Sequence, residues 1–210
     1  GLNADRTLPA GDLLLLADWK LALGDEEAWK TLRREAWDLA DEYVIVGGHY
    51  DGLGTHCDQL DPDDDICNGA TDNATGAAAV LAVGRMLDAA PRPPRRTVVL
   101  ALWDREEDGL RGARHWVADP LVPLESTVAY VNLDILGANL RGSVRDSTFA
   151  IGAETGGPEL RDAVDRAARS GRPLTTRQLS LAFGLGRSDH AVFAEHSIPT
   201  VFFGDSTVPC

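Results

Sequence analysis

Thr97-Val98-Val99-Leu100-Ala101-Leu102-Trp103-Asp104-Arg105-Glu106-Glu107 is the stretch that decides how the rest of the chain is read. Residues 98–102 are all apolar, without the alternation of a half-solvated strand, so residues 97–103 are expected to form a strand buried on both faces. The apolar run then gives way to four charged residues, three of them acids. In open α/β sheets, ligands gather beyond the carboxyl ends of the strands, so this abrupt change marks a rim where chemistry is expected.

The same pattern recurs on either side. Residues 43–48 are a short β-branched run that delivers His49-Tyr50-Asp51, and residues 127–133 are an apolar strand ending at Asp134. Residues 148–151 and 199–203 read as further strands. Between them lie helical segments. Residues 26–40 repeat Trp29, Leu32, Ala36, Trp37 and Ala40 at helical spacing. Residues 76–89 are rich in Ala, Val and Leu, with Asp72 and Thr75 as caps. Residues 106–117 and 158–170 complete the set. Strands alternating with helices predict an α/β three-layer sandwich, a mostly parallel mixed sheet flanked by helices.

Composition narrows the function. The chain has 210 residues, 44% hydrophobic and 25% charged, which suits one domain across residues 1–210. A net charge of −13 repels phosphate backbones and argues against nucleic-acid binding. No apolar run approaches the ~20 residues of a membrane span; Leu13-Leu14-Leu15-Leu16-Ala17, near the start, ends at Asp18. The chain begins at Gly1 with no visible basic leader. Cys57 and Cys67 bracket an Asp-rich loop and, with Cys210, form no CxxC pair. A Cys57–Cys67 disulfide and two free thiols both fit that spacing; the disulfide would place the protein in an oxidising compartment, secreted or periplasmic. Residues 61–65 lack the spacing of a calcium-binding EF-hand loop and read as solvated.

Several carboxylates and His residues with no thiolate suit zinc or a similar divalent metal. Two His and three carboxylates exceed what one catalytic zinc takes, and suit two metals about 3.5–4 Å apart. A further carboxylate must then accept a proton from the attacking water.

Five segments carry a resemblance. They are Val46-Gly47-Gly48-His49-Tyr50-Asp51, Gly69-Ala70-Thr71-Asp72-Asn73-Ala74-Thr75-Gly76, Glu106-Glu107-Asp108-Gly109-Leu110-Arg111-Gly112-Ala113, Asn132-Leu133-Asp134 and Ser188-Asp189-His190. In content, order and approximate spacing they resemble the M28 family of zinc metallopeptidases, over residues 43–204. The resemblance implies a zinc-exopeptidase fold and two Zn2+ ions per chain. Asp72 would bridge both metals, His49 and Asp134 would complete one site, and Glu107 with His190 the other. Glu106 would be the general base and acid, and Asp51 would orient the His49 imidazole. Action on a peptide or small aminoacyl substrate follows, most naturally as an aminopeptidase. The same fold also supports glutaminyl cyclases with one zinc, and binding domains that have lost catalysis.

Not every feature fits the family. Its members continue past the last strand into a Tyr-His-Thr segment and a closing helix, whereas this chain stops at Cys210. No Tyr lies between Asp134 and His190, and residues 1–42 do not read like the family's opening strands. His56, His115 and His196 lack motif context and read as surface or structural. Asn73-Ala74-Thr75 is formally a glycosylation sequon, but it lies within the expected site.

Overall fold

The computed structural model describes residue 27 and residues 39–55, 65–91, 93–138, 146–170, 174–184 and 186–205. The strands among them are β1 (Tyr43–His49), β2 (Gly54–Thr55), β3 (Ile66–Cys67), β4 (Thr97–Trp103), β5 (Thr127–Leu133), β6 (Ser147–Ile151), β7 (Thr175–Leu179) and β8 (Thr200–Gly204). The α-helices are α1 (Thr75–Asp88), α2 (Arg111–Ala118), α3 (Gly157–Ser170) and α4 (His190–Glu195). Six strands form one sheet in the order β4-β1-β5-β8-β6-β7. Every neighbouring pair is parallel except β6 with β8. The expected mostly parallel mixed sheet, flanked by helices, is therefore present.

Strand alternation sorts side chains into two layers. On β1, Ile45 points into a cluster with Ala101, Trp103, Tyr130, Val192 and Phe193, covered by α2 and α4. Its neighbour Val46 points the other way, against Val80 of α1 and Leu133. Val131 and Phe203 extend that second layer toward Val164 of α3. Burying a side chain such as Ile45 completely contributes about 1.5–3 kcal/mol, so β1, packed on both faces, is held firmly. Tyr130 and Phe193 stack at 3.9 Å and 10° at the centre of the first layer.

The Gly47-Gly48 pair has a steric cause. A Cβ on Gly47 would lie 2.7 Å from Trp103 Nε1 and 3.0 Å from the Tyr130 hydroxyl; one on Gly48 would lie 2.5 Å from the Leu133 carbonyl. Bare backbone there lets β4 and β5 close on β1 just where it reaches the rim.

Three sequence readings are adjusted. The segment predicted as helix over residues 106–117 becomes helical only at Arg111. Arg105 and Leu110 have positive φ (59° each), and Gly109 has φ 95°, so residues 105–110 form a turn and not a first helical turn. Asp72 does not cap α1; its backbone is extended, and Asn73 Oδ1 accepts the Gly76 N–H instead. Strand β7 and the six-residue α4 were not predicted, because one is a polar edge strand and the other is too short for helical periodicity to show. Residues 28–38 of the first predicted helix, Cys57, residues 61–64 and Cys210 lie outside the described residues. Cys67 is disulfide-bonded. No described helix is long and apolar enough to cross a membrane.

Candidate metal centre

Parallel strands put their carboxyl ends on one edge. His49 is in register with Trp103, and Leu133 with Phe203. The pairing continues one residue further, with Tyr50 N–H donating to the Trp103 carbonyl and Asp134 N–H to that of Phe203. His49, the acids after Trp103, and Asp134 are thereby delivered to a common rim.

There the donors converge. His49 Nε2 lies 3.1 Å from Asp72 Oδ1 and 3.4 Å from Asp134 Oδ1. Two sets of three ligand atoms come together, His49 with Asp72 and Glu107, and His49 with Glu106 and Asp134; within each set the atoms lie within 4.8 Å of one another. On its far side, His49 Nδ1 is 3.2 Å from the Asp51 carbonyl oxygen and 3.4 Å from its carboxylate. An imidazole held through Nδ1 with Nε2 turned to carboxylates is oriented as a metal ligand must be.

Electrostatics show what such a cluster needs. Burial alone would push His49 down, but its contacts with Asp134 and Asp72, aided by the nearby Glu106 charge, raise its pKa to about 11. Glu106 is pushed up to about 8, chiefly by burial and then by Asp189, Asp134 and Glu107, against the pull of His49. Glu107 is raised by burial and by Asp72. Asp134 is buried, and its 3.4 Å approach to His49 leaves Oδ1 without a well-formed hydrogen bond. A single imidazole faces four surrounding carboxyl groups. Crowded acids with an orphaned buried oxygen fit divalent cations better than they fit one another. The donor set, one imidazole and oxygens, suits zinc.

The structure does not bring His190 into either set, contrary to the role expected of it in the second metal site. It is fully buried at the start of α4, stacked on Phe202 at 4.8 Å, with Nε2 2.9 Å from the Gly184 carbonyl oxygen. Burial lowers its pKa to about 4, so it is neutral, and Nδ1 has no partner. His49, Asp72, Glu107, Asp134 and Glu106 are gathered; His190 is set apart.

Residues 31–209 match the profile of Peptidase family M28. The chain belongs to that family. Among curated relatives it is 31% identical, over 77% of its own length, to "Probable glutamate carboxypeptidase LAMP1" of Arabidopsis thaliana, and 33% identical over 61% to "Probable zinc metalloprotease Lema_P086240" of Leptosphaeria maculans. It spans only 23% and 29% of those two proteins. Its fold is shared with an aminopeptidase from Aneurinibacillus sp. strain AM-1 (TM-score 0.57, 23% identity, 81% of this chain and 36% of that one). A glutaminyl cyclase from Porphyromonas gingivalis is equally similar (TM-score 0.59, 19% identity, 78% and 58%).

Around this M28 centre, three residues have roles that the motifs alone did not reveal. The Asp51 carboxylate accepts the backbone N–H groups of Glu106 (3.0 Å) and Glu107 (3.3 Å), so it holds the acidic turn as well as facing His49. Asn73 is buried; it donates Nδ2–H to the Leu133 carbonyl and accepts from Gly76 and Ile135 N–H, tying the Asp72 loop to the strand end that carries Asp134. Asp189 is fully buried with neither carboxylate oxygen hydrogen-bonded, and burial, with Asp134 and Asp51 nearby, pushes it up to about 7 despite His49. Its only sequence signal was adjacency to His190. A buried chain from Trp103 Nε1 through Tyr130 and Asn132 to Ser188 Oγ, each link 2.7–2.8 Å, fixes the loop that carries it.

Proposed function

We propose that this domain hydrolyses peptides at a chain end as a zinc-dependent aminopeptidase, with two zinc ions held by His49, Asp72, Glu107 and Asp134. The observation that carries the reading is the convergence of Asp72, Glu107 and Asp134 with the His49 imidazole at one strand-end rim, with Glu106 beside them. With Glu106 kept as the base, one imidazole and three carboxylates still exceed the three protein ligands that a single catalytic zinc usually takes, which favours two-metal hydrolysis over the one-zinc cyclase reading. Asp72 would help hold both ions, since its loop is tied by Asn73 to the strand end that carries Asp134 while it also stands with Glu107.

When bound, the ions would lower the pKa of a water and polarise the scissile carbonyl. Glu106 does the proton work. Its carboxylate accepts the proton of the attacking water and delivers it to the departing amine as the C–N bond breaks. Its half-buried carboxyl stands at the rim among the metal donors, where a proton can be taken from the water and handed on. Asp51 fixes the turn that aims it.

Cleavage at the amino end is supported by charge. The site is rich in acids, and the two arginines nearest the acidic turn, Arg105 and Arg111, are both paired with Asp108. A free α-amine finds partners there more readily than a terminal carboxylate does. The disulfide at Cys67 supports a secreted or periplasmic setting.

The test is hydrolysis of aminoacyl-anilides and of blocked C-terminal peptides by zinc-loaded protein, beside Glu106→Gln, with metal content measured for both. Release from unblocked anilides only, abolished in the variant at two zinc per chain, is expected. Equal rates in the two proteins would remove Glu106 from the mechanism, and a preference for the blocked peptides would reverse the direction of cleavage.

A further inference from the structure

Asp72 is carried by a loop that packing alone does not hold. His49 and Asp134 are buried at strand ends, whereas residues 68–72 are each exposed or half-buried. Toward Leu53 and Glu107 the loop borders a recess of about 180 Å³, so that side is left unpacked among the described residues. Asp72 itself has a non-helical backbone (φ −120°, ψ 89°) and takes no support from α1. The loop is therefore located by its two ends. After Asp72, the buried Asn73 ties it to the Leu133 carbonyl. Before it, the hold is at Cys67.

Cys67 is disulfide-bonded and stands five residues before Asp72. Its strand β3 pairs with β2 over two residues, Gly54 opposite Cys67 and Thr55 opposite Ile66, in a ribbon separate from the six-stranded sheet. Gly54, Thr55 and Ile66 are exposed, and Cys67 is half-buried. An isolated two-stranded hairpin is at best marginally stable in water, so two exposed rungs need a covalent staple. Once stapled, the ribbon joins both arms of the centre. Strand β2 starts five residues after His49, and β3 ends five before Asp72. The Gly69 carbonyl accepts the Ala74 N–H (3.0 Å), which keeps the second arm compact, so a shift of Cys67 is felt at Asp72.

We propose that the Cys67 disulfide positions the metal centre: it holds Asp72 beside His49, so that zinc is bound tightly while the bond is closed and weakly once it is opened. The inference rests on the metal-centre reading above and adds a redox condition to it. A dithiol reductant opens the bond by thiolate attack on one sulfur. Its second thiol then resolves the mixed disulfide, so the reductant leaves as a disulfide and two protein thiols remain. Metal sites tolerate deviations of only about 0.2 Å in ligand distance, so freeing one end of the loop costs affinity before it costs the fold. The buried sheet and Asn73 still hold the rest.

Zinc titration of the full chain tests this in three forms: bond closed, bond reduced with the freed thiols alkylated, and Cys67→Ala. Both altered forms should bind zinc about 10–100-fold more weakly than the closed form, as when other supports of metal ligands are lost. Reductant should change nothing further in Cys67→Ala. Hydrogen exchange of the zinc-free protein separates positioning from general support. It should quicken over residues 66–74 on reduction and stay level in β1, β4 and β5. Equal zinc affinity in the closed and opened forms would overturn the proposal, as would exchange that quickens across the whole sheet. Zinc binding that follows the bond, without anilide hydrolysis, would uphold the tether and sink the peptidase reading; hydrolysis with zinc affinity indifferent to the bond would do the reverse.

Discussion

Two acidic regions of this molecule use the same residue types to opposite effect. At the strand-end rim, Asp72, Glu106, Glu107 and Asp134 crowd one imidazole, and the two glutamates are pushed toward protonation. On the far flank, between α3 and the edge strand β7, a larger recess of about 590 Å³ is lined by Glu154, Arg161, Asp162, Asp165 and Gln178, among others. There two of the acids have donors. Gln178 donates to Asp165 and to the Arg161 carbonyl, while Glu154 accepts from Ser180 Oγ and the Leu181 N–H. Burial works against Glu154, yet those hydrogen bonds, with Arg161 nearby, hold its pKa below the ordinary value. That flank is matched polar structure, whereas the rim keeps a buried Asp134 oxygen and both Asp189 oxygens without hydrogen bonds. Size did not mark the candidate site, but unsatisfied charge did.

The contrast is broken most completely at Glu106. Glu106→Gln should cost ~10²–10⁴-fold in the rate of peptide hydrolysis, the usual worth of a positioned acid–base group, with zinc content unchanged. A second cut is Asp51→Asn, which weakens the hold on both His49 and the Glu106–Glu107 turn. Zinc affinity or activity should fall by about 10–100-fold, as when other supporting partners of metal ligands are lost. A zinc titration that matched wild type, with full activity, would deny Asp51 its positioning role.

Asn73→Ala tests the scaffold and not the chemistry. It strands the buried Leu133 carbonyl and two N–H groups, so chemical denaturation should show a loss of about 1–3 kcal/mol. Metal-free protein gives a subtler test. Because Glu106 is held near 8, the folded state keeps a proton that the unfolded chain has released above its ordinary carboxyl pKa. Stability must therefore fall as pH rises from about 4.5 toward 8. Glu106→Gln should melt several degrees higher than wild type at pH 8, with the gap closing at pH 5. The smallest effect is expected on the flank. Glu154 has the opposite sign, so its stabilisation is present above its unfolded pKa and is lost as pH falls through the lower folded one. Glu154→Gln should melt slightly lower at pH 7 and level with wild type in strong acid; a large difference at pH 7 would mean that exposed carboxylate matters more than solvent screening allows.

How much of this was legible beforehand depended on whether the signal was local. The strands β1 and β5 announced themselves because burial on both faces demands unbroken apolar runs. Strand β4, expected to be buried on both faces too, is instead an edge strand with Leu100 and Leu102 each 41% exposed, though the charge just past its apolar run does sit at a strand end. That placed His49, Glu106, Glu107 and Asp134 on one rim before any coordinates. Strand β7 stayed hidden because an edge strand half in solvent tolerates Arg177 and Gln178. The turn at residues 105–110 was mistaken for helix because nothing in the local sequence says that Asp51, 55 residues away, will take its amide hydrogens.

His190 and Asp189 draw the line most clearly. Read along the chain, the two neighbours differ only in type, and His is the likelier metal donor. In the fold, α4 begins at His190 and turns that ring onto Phe202 and the Gly184 carbonyl, while the Asp189 carboxylate is left buried and unpartnered in the field of His49, Asp134 and Asp51. The order of apolar runs and polar stops by itself determined the kind of sheet and the edge at which chemistry gathers, since hydrophobic burial acts on each strand independently. Which donors meet, and which acid stays unsatisfied, was decided only in three dimensions, because ligand distances and desolvation depend on residues brought together from distant parts of the chain.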